Sequence, residues 1–367
     1  MPFLSAYCYR VWVLLHCTLG ISIQKLLKDL CTSFVKSNNP HQFSLLIKGD
    51  ITLILVVFNG ETTLLKTLQS IENQNNKTLI RDILIIDDGS TDNSVNLVQD
   101  YINRTQFFVK LIQNQQTQGL ANSYNLAINQ CQSSYFILMH QDIELIDPDS
   151  FTKIHSPLQD KSIIASYPIT QHPLEIWLQY SFWQRCLFSR LVDRDRIQFT
   201  GKFDCINKNL LVQHIGLFDG GSYRSAGEDT DLQRRIESKG FSTLAAPIKI
   251  NHLHRLDKYF PLKKWIHKEA QLAEAQGVLL RKYGMLRQFN LLTYFRPVLV
   301  IGLFIPYLQW ASAILIFIYS FLYTKRVFLK TRFQFKMLVL PLINVSLLFI
   351  ATFFTFKGFV TKQQLIR

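Results

Sequence analysis

The sequence predicts an α/β fold, a mostly parallel sheet covered by helices, followed by C-terminal transmembrane helices. Three observations lead there. A continuous apolar run opens the central zone at residues 51–58, strand-like and helix-like patterns then alternate as far as residue 139, and two long uncharged stretches occupy residues 297–323 and 337–356. Apolar runs without alternation belong to strands covered on both faces. Strands that alternate with helices close a parallel sheet through right-handed crossovers.

The elements follow in order. Residues 51–58 read ITLILVVF, a strand buried on both faces, broken by Asn59-Gly60. Leu64, Leu65, Leu68 and Ile71 then recur at helical spacing. Residues 83–86 form a second buried strand ending in Asp87-Asp88-Gly89, with a helix over 94–101. A third strand covers 107–112, a third helix 120–131 and a fourth strand 135–139. In such sheets ligands bind beyond the carboxyl ends of the strands. The polar clusters of this chain fall there: Asn59, Asp87 with Asp88, and His140-Gln141-Asp142. The expected division is a lead-in over 1–48, an α/β domain over 49–290 and a membrane anchor over 297–356.

Composition narrows the function class. The 367 residues are 48% hydrophobic, with a mean hydropathy of +0.10, high for a purely soluble domain. A net charge of +14 suits nucleic acid, anionic lipid or phosphorylated ligands. No nucleic-acid motif accompanies it, so membrane lipids and a diphosphate ligand are the expected partners. The cysteines Cys8, Cys17, Cys31, Cys131, Cys186 and Cys205 are scattered without a C-x-x-C pair, which fits a reducing compartment. The apolar run at 11–23, interrupted by His16, is too short to span a bilayer and reads as an interfacial or core-packed helix.

Each C-terminal stretch is long enough for roughly 30 Å of hydrocarbon. The connector carries Lys325, Arg326, Lys330, Arg332 and Lys336, and the outer flanks carry Arg281, Lys282, Arg287, Arg296, Lys357 and Lys362. Two full crossings would put these two basic groups on opposite sides, whereas the positive-inside tendency draws both to the cytoplasm. Pro306 offers a break into a re-entrant or interfacial shape.

Four strings carry candidate chemistry. In IIDDGSTDNS, over 85–94, two carboxylates end a buried strand, where they can accept hydrogen bonds from a base and ribose; the same string also makes an ordinary capped turn. In YFILMHQDIEL, over 135–145, Asp142 lies just past a strand at the same sheet end, as a cation ligand or a turn cap. In AGEDTDLQRRIESKG, over 226–240, Glu228, Asp229 and Asp231 open a helix whose dipole favours acids and keeps a general base ionised. In INHLHR, over 250–255, His252 and His254 are expected opposite the face of Ile248 and Ile250, as a metal's nitrogen ligand or as hydrogen-bonded surface histidines.

The order and spacing of these strings resemble the family 2 glycosyltransferases with the Rossmann-like GT-A fold. The likeness runs from about Ile51 to about His254. It includes VVFNGE over 56–61, DDGSTD over 87–92, Asn114, Gly119 and Asn125, HQD over 140–142 in place of D-x-D, and IGLFD over 215–219 followed by GEDTDLQRR over 227–235. The resemblance implies a nucleotide-sugar site made by Phe58, Glu61, Asp87, Asp88, Asn125 and Asp142. It implies Asp229 as the catalytic base with Glu228 in support, and a divalent cation (Mg²⁺ or Mn²⁺) held by Asp142 with His252 or His254. The implied reaction is an inverting, single-sugar transfer to a lipid-linked or cell-envelope glycan hydroxyl, on a membrane protein whose catalytic domain faces the cytoplasm. Transfer to a polyprenyl phosphate and a non-catalytic scaffold are the alternatives. Two departures matter. His140 removes one carboxylate from the cation site, and the Q/R-x-x-R-W string of processive synthases is absent.

Overall fold

The computed structural model describes residues 49–366 apart from 225, 258 and 285–290, together with the side chains of 291–294. The lead-in 1–48, with the run at 11–23 and Cys8, Cys17 and Cys31, lies outside the described residues, as do Lys258 and Arg287. Cys131, Cys186 and Cys205 are buried free thiols.

The sheet is built from β1 (Ile51–Val57), β2 (Ile80–Asp87), β3 (Val109–Gln113), β4 (Tyr135–His140), β5 (Ile143–Leu145), β6 (Ile163–Gln171), β7 (Arg196–Ile197), β8 (Phe203–Asn207) and β9 (Ser242–His252). Their order is β3-β2-β1-β4-β8-β6-β9-β5, with β7 beside β6. The first four strands are parallel. β8 enters antiparallel between β4 and β6, β6 and β9 run parallel, and β5 pairs antiparallel with β9.

Every residue of β1 is buried because the two faces meet different helices. Ile51, Leu53, Leu55 and Val57 pack with Leu64, Leu68 and Ile71 of α1 (Leu64–Glu72) and Val98 of α2 (Ser94–Ile102). Ile54 and Val56 pack on the other face with Tyr124, Ala127 and Ile128 of α3 (Leu120–Gln130). Each such aliphatic side chain contributes about 1.5–3 kcal/mol when fully buried. After the short α4 (Ser150–His155), α5 (Leu174–Gln179) and α6 (Phe182–Phe188) place Trp177, Tyr180 and Phe182 in a third core. These aromatics therefore serve packing. Helix α7 (Glu228–Ser238) covers the α3 side through Leu232 and Ile236.

The remaining helices are α8 (Leu262–Tyr283), α9 (Leu291–Gly302), α10 (Leu308–Leu322), α11 (Lys325–Lys330) and α12 (Leu340–Thr361). The uncharged stretch 297–323 is not one helix. It breaks between Gly302 and Leu308, around Pro306, with Tyr307 at φ 69°. By length and composition, two segments can cross a membrane, Leu308–Lys330 and Phe335–Thr361. α12 packs most extensively on α8. Their crossing needs bare backbone: a Cβ on Gly277 would lie 2.0 Å from the Thr355 carbonyl, and one on Gly358 2.0 Å from the Glu274 carbonyl. Any larger residue at either position pushes the helices apart.

Candidate active site

Strands β1 and β2 end in loops that lock together. Gln141 holds both backbone groups of Phe58, at 2.8 and 2.9 Å, leaving the Phe58 ring 43% exposed. Asn59 accepts from the Thr91 amide at 2.8 Å, and Glu61 accepts from the Asn93 amide at 3.1 Å. Asp87 receives only a bifurcated contact from the Ser90 amide, 3.3 Å to each oxygen. Asp88 is engaged on all sides. One oxygen accepts from Asn114 Nδ2 (2.8 Å), the Gln118 amide (2.9 Å) and Ser123 Oγ (2.8 Å), and the other from the Gly119 amide (2.9 Å). Its carboxylate ties the 114–119 loop to the start of α3, so Asp87, equally buried, is the member of the pair with acceptor capacity left over. Asn125 is likewise committed, exchanging two 2.9 Å bonds with the Phe218 backbone.

The ends of β4, β6 and β9 gather a second group. The pairing of Ile143 with His252 puts Asp142 beside His252, and that of Gln171 with Asn251 does the same for His172. Asp142 Oδ2 lies 3.1 Å from His252 Nε2, and His252 Nδ1 lies 3.2 Å from His172 Nε2. His254 stacks on Phe188, with ring centroids 3.8 Å apart. His252 has the same strand parity as the buried Ile248 and Ile250. The expectation of opposite faces is therefore corrected: β9 turns its core face toward the site at its end. His172 escaped the sequence reading because a lone histidine before Pro173 has no motif, and only the β6–β9 register brings it in.

Burial, then the charge of Lys202, depresses His140 to about 3. Burial, then His252, depresses His172 to about 2, and burial also lowers His252 and His254. At neutral pH these rings are uncharged and offer lone pairs, as metal ligands must. Burial opposes ionisation of Asp142, yet His252 beside it holds the carboxyl well below the usual range. His140 Nε2, Asp142 Oδ1, His172 Nδ1 and His254 Nε2 are all buried without a hydrogen-bond partner among the described residues. Leaving such atoms unpaired costs about 1–3 kcal/mol each. The donor atoms of His140, Asp142 and His252 lie within 4.8 Å of one another, as do those of His172, His252 and His254. Both sets are fit to hold a cation.

Across the site, α7 begins after Gly227, whose φ of +98° strains any other residue and whose Cβ would meet the Tyr223 ring at 2.9 Å. Asp229 Oδ1 accepts from the Thr230 amide at 2.6 Å. Glu228 is buried, its Oε2 has no partner, and burial followed by the charge of Asp229 raises its carboxyl to about 7. Asp231, the third acid of the string, is scaffold: it is fully buried against Arg235, Lys282 and Tyr283, at 2.9, 2.5 and 2.7 Å. Arg235 in turn donates to the carbonyls of Ile215, Gly216 and Leu217. That explains the IGLFD string as a loop clamped from α7.

Two further groups join the halves. Lys202, before β8, lies in the fields of Asp229 and Asp142, though burial is the larger influence on it. Tyr124, fully buried and donating to the Gly201 carbonyl at 3.1 Å, is raised well above its ordinary range by burial and then by Asp204, Glu228, Asp142 and Asp229. The charges of Asp142 and Asp229 thus both reach Tyr124 and Lys202. Neither Lys202 nor the nearby Arg196 stood out in sequence, since an isolated basic residue carries no spacing signal.

A mixed sheet with carboxylates at the parallel strand ends and an acid-led helix opposite defines a GT-A glycosyltransferase. Residues 52–213, a little under half of the chain, match the model for "Glycosyl transferase family 2", and this segment is a glycosyltransferase domain of that kind. It is similar in fold to a mannosyltransferase from Pyrobaculum calidifontis, solved with GDP-Man and Mn²⁺, at a TM-score of 0.50 and 14% identity over 86% of each chain. It is 27% identical over 147 residues to a poly-β-1,6-N-acetyl-D-glucosamine synthase of Staphylococcus epidermidis, and 30% identical over 95 residues to a teichoic acid poly(glycerol phosphate) polymerase of that organism. These matches cover 38% and 26% of this chain and 34% and 13% of those relatives.

Proposed function

We propose that this chain transfers one sugar from a nucleotide-sugar donor to a hydroxyl on a lipid-linked or cell-envelope glycan, with inversion, on the cytoplasmic side of a membrane. The observation that supports this reading is the cation-ready group of His140, Asp142 and His252 at the strand ends, together with the charges of Asp142 and Asp229 both reaching Tyr124 and Lys202. The nucleoside lies against Asp87, with Phe58 and Glu61 in the locked loops at the edge of its site. A divalent cation held by Asp142 and His252, with His140 or His254, would offset charge on the diphosphate. Imidazole ligands favour Mn²⁺ over the harder Mg²⁺.

Asp229 takes the proton of the acceptor hydroxyl. The oxygen attacks the anomeric carbon as the bond to the diphosphate oxygen breaks, and the nucleoside diphosphate leaves. Oδ1 of Asp229 is fixed by Thr230, which sets the direction of its other oxygen. Glu228, buried with its carboxyl raised to about 7, is disfavoured as a second negative charge beside Asp229. Lys202 lies within the electrostatic reach of both carboxylates.

The test is Asp229→Asn with purified membranes and UDP-, GDP- and dTDP-sugars, following nucleotide release. Loss of transfer with donor binding intact is expected. Full turnover would remove Asp229 as the base and favour an acceptor that is already an anion, such as a polyprenyl phosphate.

A further inference from the structure

The two apolar C-terminal segments are each long enough to cross a bilayer, but a crossing hairpin carries its connector about 30 Å from the side where it starts. Here the connector stays with the catalytic unit. Lys330 pairs with Asp193 at 2.8 Å, and Arg326 donates to the carbonyls of Ser189 and Arg190 at 3.4 Å. The far end of α12 is tied to the same unit. Lys357 pairs with Glu274 at 2.8 Å, and Glu274 accepts from the amides of Leu365 and Ile366 at 2.9 and 2.8 Å. Fully buried Gln364 donates its amide to the Ser222 carbonyl (2.8 Å), accepts from the Arg224 amide (2.8 Å) and donates Nε2 to the Gln271 carbonyl (3.0 Å).

Between these ends α12 lies along α8. Its first half shares a core with Trp265 and Phe260, and its second half meets Gly277. α8 carries exposed Lys263, Lys264 and Lys268 near its start and Arg281 near its end. A helix with charges at both ends, flanking α12 along its length, belongs in the headgroup region and keeps α12 at the same depth.

We propose that α9 to α12 form a monotopic platform that sinks into one leaflet of an anionic bilayer without crossing it. Its lipid face includes the exposed Phe304, Trp310, Phe317, Phe321, Leu342 and Phe353. Arg332 and Lys336 in the connector, and Lys357 and Lys362 at the other end, then lie on one side and meet the same anionic surface. This removes the conflict that two full spans create with the positive-inside tendency. The surrounding lysines and arginines select an anionic lipid surface over a second copy of this basic chain, whose charge would repel it.

The inference rests on the membrane association proposed above, and the experiment separates the two. The full chain, and its Lys161→Cys, Arg332→Cys and Lys336→Cys variants, are reconstituted into closed vesicles of equal parts phosphatidylcholine and phosphatidylglycerol. Each is treated with a membrane-impermeant maleimide before and after detergent, with the parent chain as background. Flotation with the vesicles reports on association. Lys161, on the catalytic unit, and the two connector positions are expected to label from outside in the same proportion. Complementary proportions mean that the connector is across the bilayer and overturn the single-leaflet placement, while association stands. A chain that stays in solution as a dimer or larger assembly overturns both. Two connector positions guard against one variant failing to fold.

Discussion

The two halves of the site are built in opposite ways. Around the end of β2 and the start of α3, Asp88 accepts four hydrogen bonds and Asn125 exchanges two with a neighbouring backbone. Around the ends of β4, β6 and β9 and the start of α7, His140, Asp142, His172, His254 and Glu228 each keep a buried polar atom with no hydrogen-bond partner among the described residues. Since buried polar groups are nearly always paired in folded proteins, the unpaired atoms mark spare hydrogen-bonding capacity here, although such atoms also occur away from the site, at Tyr101 and Asn344. Within the site, satisfied side chains hold loops in place, and unsatisfied ones have capacity for something that arrives.

The comparison can be broken most decisively at Asp229. Asp229→Asn should lower kcat by roughly a thousand-fold, within the usual range for a general base, while donor affinity measured by calorimetry stays the same. Next is Asp142→Asn, which should weaken cation-dependent donor binding by about 100-fold without lowering Tm. If it lowers Tm as much as a core substitution does, Asp142 belongs with the scaffold instead. Asp88→Asn should do the reverse. It leaves an amide where four donors converge, so the chain should lose about 1–3 kcal/mol of stability, read as a lower denaturant midpoint, with the chemical step in the surviving fraction little changed. The smallest effect concerns pH. Glu228 has a folded pKa of about 7 against an ordinary value of 4.5. Its protonated form is favoured on folding, so its contribution is full below about pH 4.5 and is lost as pH rises through about 7. Glu228→Gln should therefore raise the denaturant midpoint at pH 8 more than at pH 5. An equal change at both pH values would show that its carboxyl is not shifted.

Much of this was legible in the chain. β1, β2 and β4 announce themselves because they are largely buried on both faces, so hydrophobicity is nearly continuous, whereas β3 at the sheet edge has no fully buried residue. The acid strings end those strands or open α7, and that made Asp87, Asp142 and Asp229 visible. Burial direction was not legible. Asp87 and Asp88 look equivalent in sequence, and only the return of the 114–119 loop decides which one is consumed. β6 and β8 are hidden because an antiparallel strand inserts among parallel ones, so neighbours in space are far apart in sequence. His172 and Lys202 depend on that register. The break around Pro306 was marked by its proline, while the mooring of the connector to Asp193 rests on one salt bridge that no pattern foretells.

The contact between Gln364 and the loop ahead of α7 bears on the order of synthesis. Arg224 and its partner are separated by 140 residues. A ribosome therefore finishes the helix carrying Asp229 long before it makes the residue that fastens the loop leading into it. In the meantime the nascent chain has the loops that follow β1 and β2 but an unfastened loop ahead of α7. Products released early, with the apolar helices missing or unseated, would lack that fastening. Gln364 thus links the apolar helices that precede it to the loop leading into the helix that carries Asp229.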